Sequence, residues 1–118
     1  MDRVFTVTEA DALGPEVARL MAELAPIAAR AAEAASTRTA LAKSNGHGPR
    51  VEGGAELRAG LAWFEARGIQ VKGFSPPLVD FPAGSGVLLC WIEGEDRITH
   101  WHRESDGFAG RRPLSELP

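Results

Sequence analysis

The chain has 118 residues, 44% of them hydrophobic and 25% charged, with 13 Lys plus Arg against 16 Asp plus Glu and a formal net charge of −3. Such a balance excludes a disordered chain, which has less apolar content and more net charge. No apolar run reaches the roughly 18 residues of a membrane span. Scattered Arg and Lys on a mildly acidic chain give nucleic acid no basic face to bind.

The cysteine count is 1, so no internal disulfide is possible. The N-terminus MDRVFTVTEADALGPEV also lacks the long apolar stretch of a signal peptide, and together these predict a cytoplasmic protein. A single domain over 1–118 is expected, helical over about 8–68 and β-rich over about 69–112.

In chain order, Thr8 followed by Asp11 reads as a helix start, since a Thr oxygen accepts from a backbone N–H three residues on. Leu13-Gly14-Pro15 interrupts the pattern, so a short turn is placed at 9–13 and a new helix at Pro15. That helix is predicted to run from Pro15 to Lys43. Its seam is Val17, Leu20, Leu24, Ile27, Ala31, Ala34, Arg38 and Leu41, at the alternating three- and four-residue steps of a coiled coil. Pro26 falls inside it and should bend it. Ser44–Gly54 reads as a loop, and Ala55–Arg67 as a second helix with Leu57, Leu61 and Phe64 on one stripe and Gly68 as its cap.

The two helices form an antiparallel hairpin of unequal arms, roughly 43 Å against roughly 20 Å at 1.5 Å per residue. Either the long arm folds back at Pro26 or another copy covers its uncovered seam, which predicts a homo-oligomer. Short strands are expected at Ile69–Lys72 and Leu78–Phe81, on either side of Gly73-Phe74-Ser75-Pro76-Pro77. Val87–Ile92 and Arg97–Arg103 flank Glu93-Gly94-Glu95-Asp96 as a β-hairpin. Gly107–Arg112 closes the chain as a loop. The fold class is α+β: a long antiparallel helical hairpin, then a small antiparallel β-sheet.

His100-Trp101-His102 is the most suggestive local feature. Residues two apart on a strand share a face, so both imidazoles could reach one metal, with Glu95, Glu93 or Asp80 supplying a carboxylate. The plainer reading has His102 bonded within the hairpin and His100 half exposed. The register decides which neighbours they have. A two-residue turn at Gly94-Glu95 sets Leu89 and Trp91 beside the histidines. A three-residue turn at Gly94-Glu95-Asp96 sets Leu88, Cys90 and Ile92 there and adds a soft ligand that favours zinc. The two-residue turn is expected, and with it a protein holding well under one equivalent of metal.

Cys90, within an apolar strand and without a cation in the local sequence, reads as a buried small hydrophobe more readily than as a nucleophile. Trp91, Trp101 and Phe108 read as core rather than as the walls of a ligand pocket. Asp80 lies at a half-buried strand position, and a buried carboxylate needs a partner, for which Arg111 or Arg112 is expected. Neither a phosphate-binding glycine motif nor a Gly-x-Ser-x-Gly elbow is present.

Several blocks then resemble a known family. Phe5-Thr6, Glu9-Ala10 and Leu13-Gly14-Pro15-Glu16-Val17 resemble the start of the bacterial family called domain of unknown function 2203. Leu78-Val79-Asp80-Phe81-Pro82-Ala83, Leu88-Leu89-Cys90-Trp91, Gly94-Glu95, Trp101-His102 and Gly107-Phe108-Ala109-Gly110-Arg111 follow in its order and spacing. The resemblance covers nearly the whole chain and implies the same helical-then-β layout. It supplies no established activity and no catalytic residues. It leads one to expect Leu at Gly14 and Tyr at His100, so a role for His100 would belong to this chain alone.

Two functions follow from this reading. The first is a non-enzymatic interaction or assembly module that self-associates through the long helix, with no cofactor, no nucleic acid and no membrane. The second is a small metal-binding protein or metal-dependent enzyme that holds zinc or iron on His100, His102 and Glu95. Asp80, Cys90, Trp91, Trp101 and Arg111 are the remaining candidate site residues.

Overall fold

The structure, a computed structural model, describes residues 3–45 and 54–118, with side chains over 3–34 and 54–118. Helix α1 (Val7–Asn45) and helix α2 (Gly54–Arg67) precede strands β1 (Gln70–Phe74), β2 (Pro77–Gly84), β3 (Val87–Ile92), β4 (His100–Arg103) and β5 (Arg112–Pro113). The strands form one antiparallel sheet in the order β1-β2-β3-β4-β5. An α+β architecture, helices first and sheet second, is therefore present. Most of the expected loop Ser44–Gly54 lies outside the described residues, as do the side chains of Arg38 and Leu41.

The start of α1 departs from expectation. Thr6, not Thr8, is the cap: its hydroxyl accepts from the Glu9 amide at 3.1 Å, and the Glu9 carboxylate accepts from the Thr6 amide at 3.0 Å. This is the reciprocal pairing of a capping box. Phe5 before the cap and Ala10 after it are both buried and staple the entry. No turn separates 9–13 from the rest, because Pro15 and Pro26 both lie inside α1. Pro15 removes one backbone donor, but Ala10 on one side of it and Val17, Met21 and Leu24 on the other are all buried in the same core. That burial, at about 1.5–3 kcal/mol for each large side chain, outweighs the lost bond.

The seam is accordingly covered within the chain over its first half. Val17 and Leu24 are buried, and Leu20 and Ile27 pack partly against the core. The expectation that these four form an uncovered patch is overturned, because the sheet as well as α2 shields α1. Where the helices meet, Gly60 allows the close approach: a methyl added there would overlap the Leu24 side chain.

Strand alternation sorts the sheet into two faces. The cross-strand partners Val79↔Trp91 and Leu89↔Trp101 put Val79, Leu89, Trp91 and Trp101 on one face, with Phe81, and these share the core with Phe5, Val17, Met21 and Phe64. The row Asp80↔Cys90↔His100 and the pair Leu88↔His102 occupy the other face. The 3-10 turn Phe108–Gly110 and Arg111 follow β4 on the way to β5.

Candidate functional site

The β3–β4 register sets the site. Cys90 pairs with His100 and Leu88 with His102, so Leu88 and Cys90 neighbour the histidines, not Leu89 and Trp91. The expected two-residue turn is wrong, because Glu95 organises a longer connection. Its Oε1 accepts from the Ile92 amide at 2.9 Å and its Oε2 from the Thr99 hydroxyl at 2.7 Å, while its carbonyl accepts from Trp91 Nε1 at 2.8 Å. Asp11 of α1 accepts from the Ile98 amide at 2.6 Å, which docks the connection on the helix and delays the start of β4 to His100.

Asp80, Cys90 and His102 consequently converge. One ligand atom of each lies within 4.8 Å of the others, and all three residues are buried at 3% exposure or less. His102 Nε2 meets Asp80 Oδ2 at 3.1 Å, and His102 Nδ1 meets the Arg103 carbonyl at 2.9 Å. A carbonyl only accepts, so Nδ1 carries a proton and donates it. A second proton then lies between Nε2 and Oδ2. Imidazolium with carboxylate, or imidazole with carboxylic acid, both satisfy that contact, and both leave the pair neutral overall. The other carboxyl oxygen, Asp80 Oδ1, is buried with no hydrogen-bond partner. Burial pushes the Cys90 thiol up to about 12, with the Asp80 charge adding to the shift and the Arg111 guanidinium opposing it.

The expected partner of Asp80 is corrected at the same time. Arg111 pairs with Glu95, at 2.9 and 3.1 Å to its two oxygens, and Arg112 is exposed on β5. Asp80 is paired with His102 instead. Burial tends to raise the Glu95 carboxyl, but the Thr99 hydroxyl, the Ile92 amide and Arg111 together hold it below its usual value.

The alternative metal set of His100, Glu95 and His102 is not brought together as a group: His100 Nδ1 lies 4.0 Å from Glu95 Oε2, while His102 faces Asp80. The Thr99 hydroxyl donates to Glu95, so the His100 Nδ1 contact at 2.8 Å donates to Thr99, which makes a relay from His100 through Thr99 to Glu95. Both Glu95 oxygens are engaged in that relay and in the Arg111 pair. Trp91 and Trp101 belong to the helix-side core, and Trp101 Nε1 donates to the Pro113 carbonyl at 3.2 Å. Phe108 stands apart, exposed, beneath the Arg111 guanidinium at 5.0 Å. A cleft of about 420 Å³ between α2 and β1, walled by Leu61, Phe64 and Val71, was not foreseen and is lined by none of the three converging residues. Thr99 was also missed. Only its place between Glu95 and His100 in sequence could have drawn notice.

A family of uncharacterised conserved proteins, DUF2203, matches residues 3–114. The chain belongs to DUF2203. No curated protein and no solved structure matches it. The capping box at Thr6 and Glu9 and the convergence of Asp80, Cys90 and His102 all lie inside the stretch that defines this DUF2203 chain. No helix among its described residues is long and apolar enough to cross a membrane.

Proposed function

We propose that the protein binds one divalent transition-metal ion of the zinc class on Asp80, Cys90 and His102. The observation that carries this reading is the convergence of one buried ligand atom each from Asp80, Cys90 and His102 within 4.8 Å, with the second Asp80 oxygen, Oδ1, buried and without a hydrogen-bond partner. An unsatisfied buried acceptor costs about 1–3 kcal/mol, which a cation at that place recovers. One sulfur, one nitrogen and one oxygen suit zinc or iron(II) rather than magnesium or calcium. A thiolate, a carboxylate and a neutral imidazole carry two negative charges together, which a divalent ion balances inside the protein. Burial of all three ligands favours an ion that ties β2, β3 and β4 together over one that meets a substrate.

The test is equilibrium dialysis against zinc, followed by elemental analysis. One retained equivalent is expected, lost in Cys90→Ser and in His102→Ala. Retention by both variants, or none by the parent, refutes the reading. A cytoplasmic setting, where a lone thiol stays reduced, belongs to the same proposal.

Assembly through α1 is the second reading. It is favoured by the inequality of the helices, 39 residues against 14. These are about 58 Å and about 21 Å long, so much of α1 extends past α2. Light scattering at micromolar concentration is expected to report a dimer or larger species, and a clean monomer refutes it.

A further inference from the structure

Strand β1 closes one side of the sheet, and β2 is the strand it pairs with. Among the described residues, no backbone hydrogen bond reaches its outer side. At the opposite side β5 is 2 residues long against 5 in β1, so β1 is the longer free edge. Such an edge presents N–H and C=O groups open to a further strand.

The cleft of about 420 Å³ beside α2 follows this edge. Its strand wall includes Gln70 and Val71, which are consecutive and so point to opposite faces. Val71 pairs with Val79 of the core face, and Gln70 with Asp80 of the other. A cleft lined by both runs along the backbone edge rather than over one face. Leu61, Phe64 and Glu65 form the α2 wall, at the three- and four-residue steps of one helix face. The space between a free strand and a helix face suits one more extended strand, which gains main-chain bonds from one wall and apolar contact from the other.

The charges select the strand. Glu65 stands on the helix wall and Lys72 on the strand wall, both exposed and neither in an ion pair among the described residues. A groove with one charge of each sign on its two walls complements itself under a two-fold axis. We infer that β1 docks antiparallel against β1 of a second copy of this chain, joining two five-stranded sheets into one. Val71, on the axis, opposes itself; opposed residues share a face, so the helices of both copies lie on the same side. Lys72 of each copy then lies opposite Gln70 of the other, beside Glu65. The register shift after Val71 ends the regular ladder at Lys72, so the two charge pairs fix the alignment. The pairing consumes this edge in both copies, and the assembly closes at two. It uses a surface other than the α1 seam and does not depend on the metal reading.

The test is sedimentation equilibrium of the full chain and its charge-reversed variants, with hydrogen exchange of the parent at low and high concentration. The parent is expected to dimerise, and the amides of Gln70–Lys72 to exchange more slowly as concentration rises. Glu65→Lys and Lys72→Glu should each weaken the dimer about tenfold, because like charges then meet at both ends of the ladder. The double exchange, Glu65→Lys with Lys72→Glu, should restore it. Both side chains are exposed, so the variants should melt with the parent, which circular dichroism checks. A dimer indifferent to either reversal, a double variant as weak as the single ones, or protection confined to α1 overturns the inference. A parent that stays monomeric overturns it as well, and leaves the groove to an extended peptide of another protein.

Discussion

Replacing Asp80 with Ala in chelator-treated protein isolates what the Asp80–His102 pair contributes without a metal. The carboxyl is buried, and its removal strands His102 Nε2, since Nδ1 remains committed to the Arg103 carbonyl. Had the partner been an arginine, the substitution would leave a buried charge, at about 3–5 kcal/mol. Beside a neutral imidazole the cost is that of one unsatisfied nitrogen and the cavity left by the carboxyl, partly offset by loss of the orphaned Oδ1, a net of about 1–3 kcal/mol. For a domain of this size that corresponds to a fall in Tm of about 4–12 °C. Asp80→Asn offers an amide N–H to the bare nitrogen and should lose less than about 1 kcal/mol. Circular dichroism melts of the three proteins give the comparison. Should Asp80→Ala melt within a degree or two of the parent, His102 is not stranded and the pairing argument fails.

Glu95 has its carboxyl held below the usual value near 4.5, so its contribution to stability is present above that pH and drains away as pH falls through the lower folded value. Urea midpoints should therefore drop as pH falls below about 4.5, less steeply in Glu95→Gln; parallel profiles would contradict the network drawn around this residue. Cys90, raised to about 12 and buried, should resist alkylation in the folded metal-free protein at neutral pH and react on unfolding. Prompt labelling of the native state would show it to be exposed. Because the thiol must lose its proton to ligate, zinc affinity should rise with pH through the neutral range, and a flat profile would exclude Cys90 as a ligand. Gly60→Val should cost about 1–3 kcal/mol through collision with Leu24, and an unchanged melt would mean that α1 and α2 do not meet there.

Elements whose signal is local were legible in the sequence. Val87–Ile92 has its expected bounds because six apolar residues between turn signals have little else to become. Arg67 ends α2 as anticipated, with Gly68 following at φ 76°, a conformation that favours glycine. The break at Gly14-Pro15 was misread because Pro15 lowers local helix propensity, while the burial that overrides it comes from a distant sheet. At the site, the residue types were found but their grouping was not. His100 and His102 do share a face, but the register is set by side chains that the turn sequence does not announce: Glu95 bonding back to Ile92 and forward to Thr99, and Asp11 reaching Ile98 from α1. That parity brings Cys90 to His102 and leaves Arg111 to Glu95, so Asp80 finds a histidine where an arginine was expected.

The most direct test of the central claim is X-ray absorption at the zinc edge on protein loaded with one equivalent of zinc. Asp80, Cys90 and His102 together predict a single sulfur scatterer at about 2.3 Å, with the remaining shell made of nitrogen and oxygen at about 2.0–2.1 Å. Cys90→Ser should remove the sulfur contribution. A shell of nitrogen and oxygen alone in the parent, or zinc that cannot be retained at one equivalent, would contradict the account.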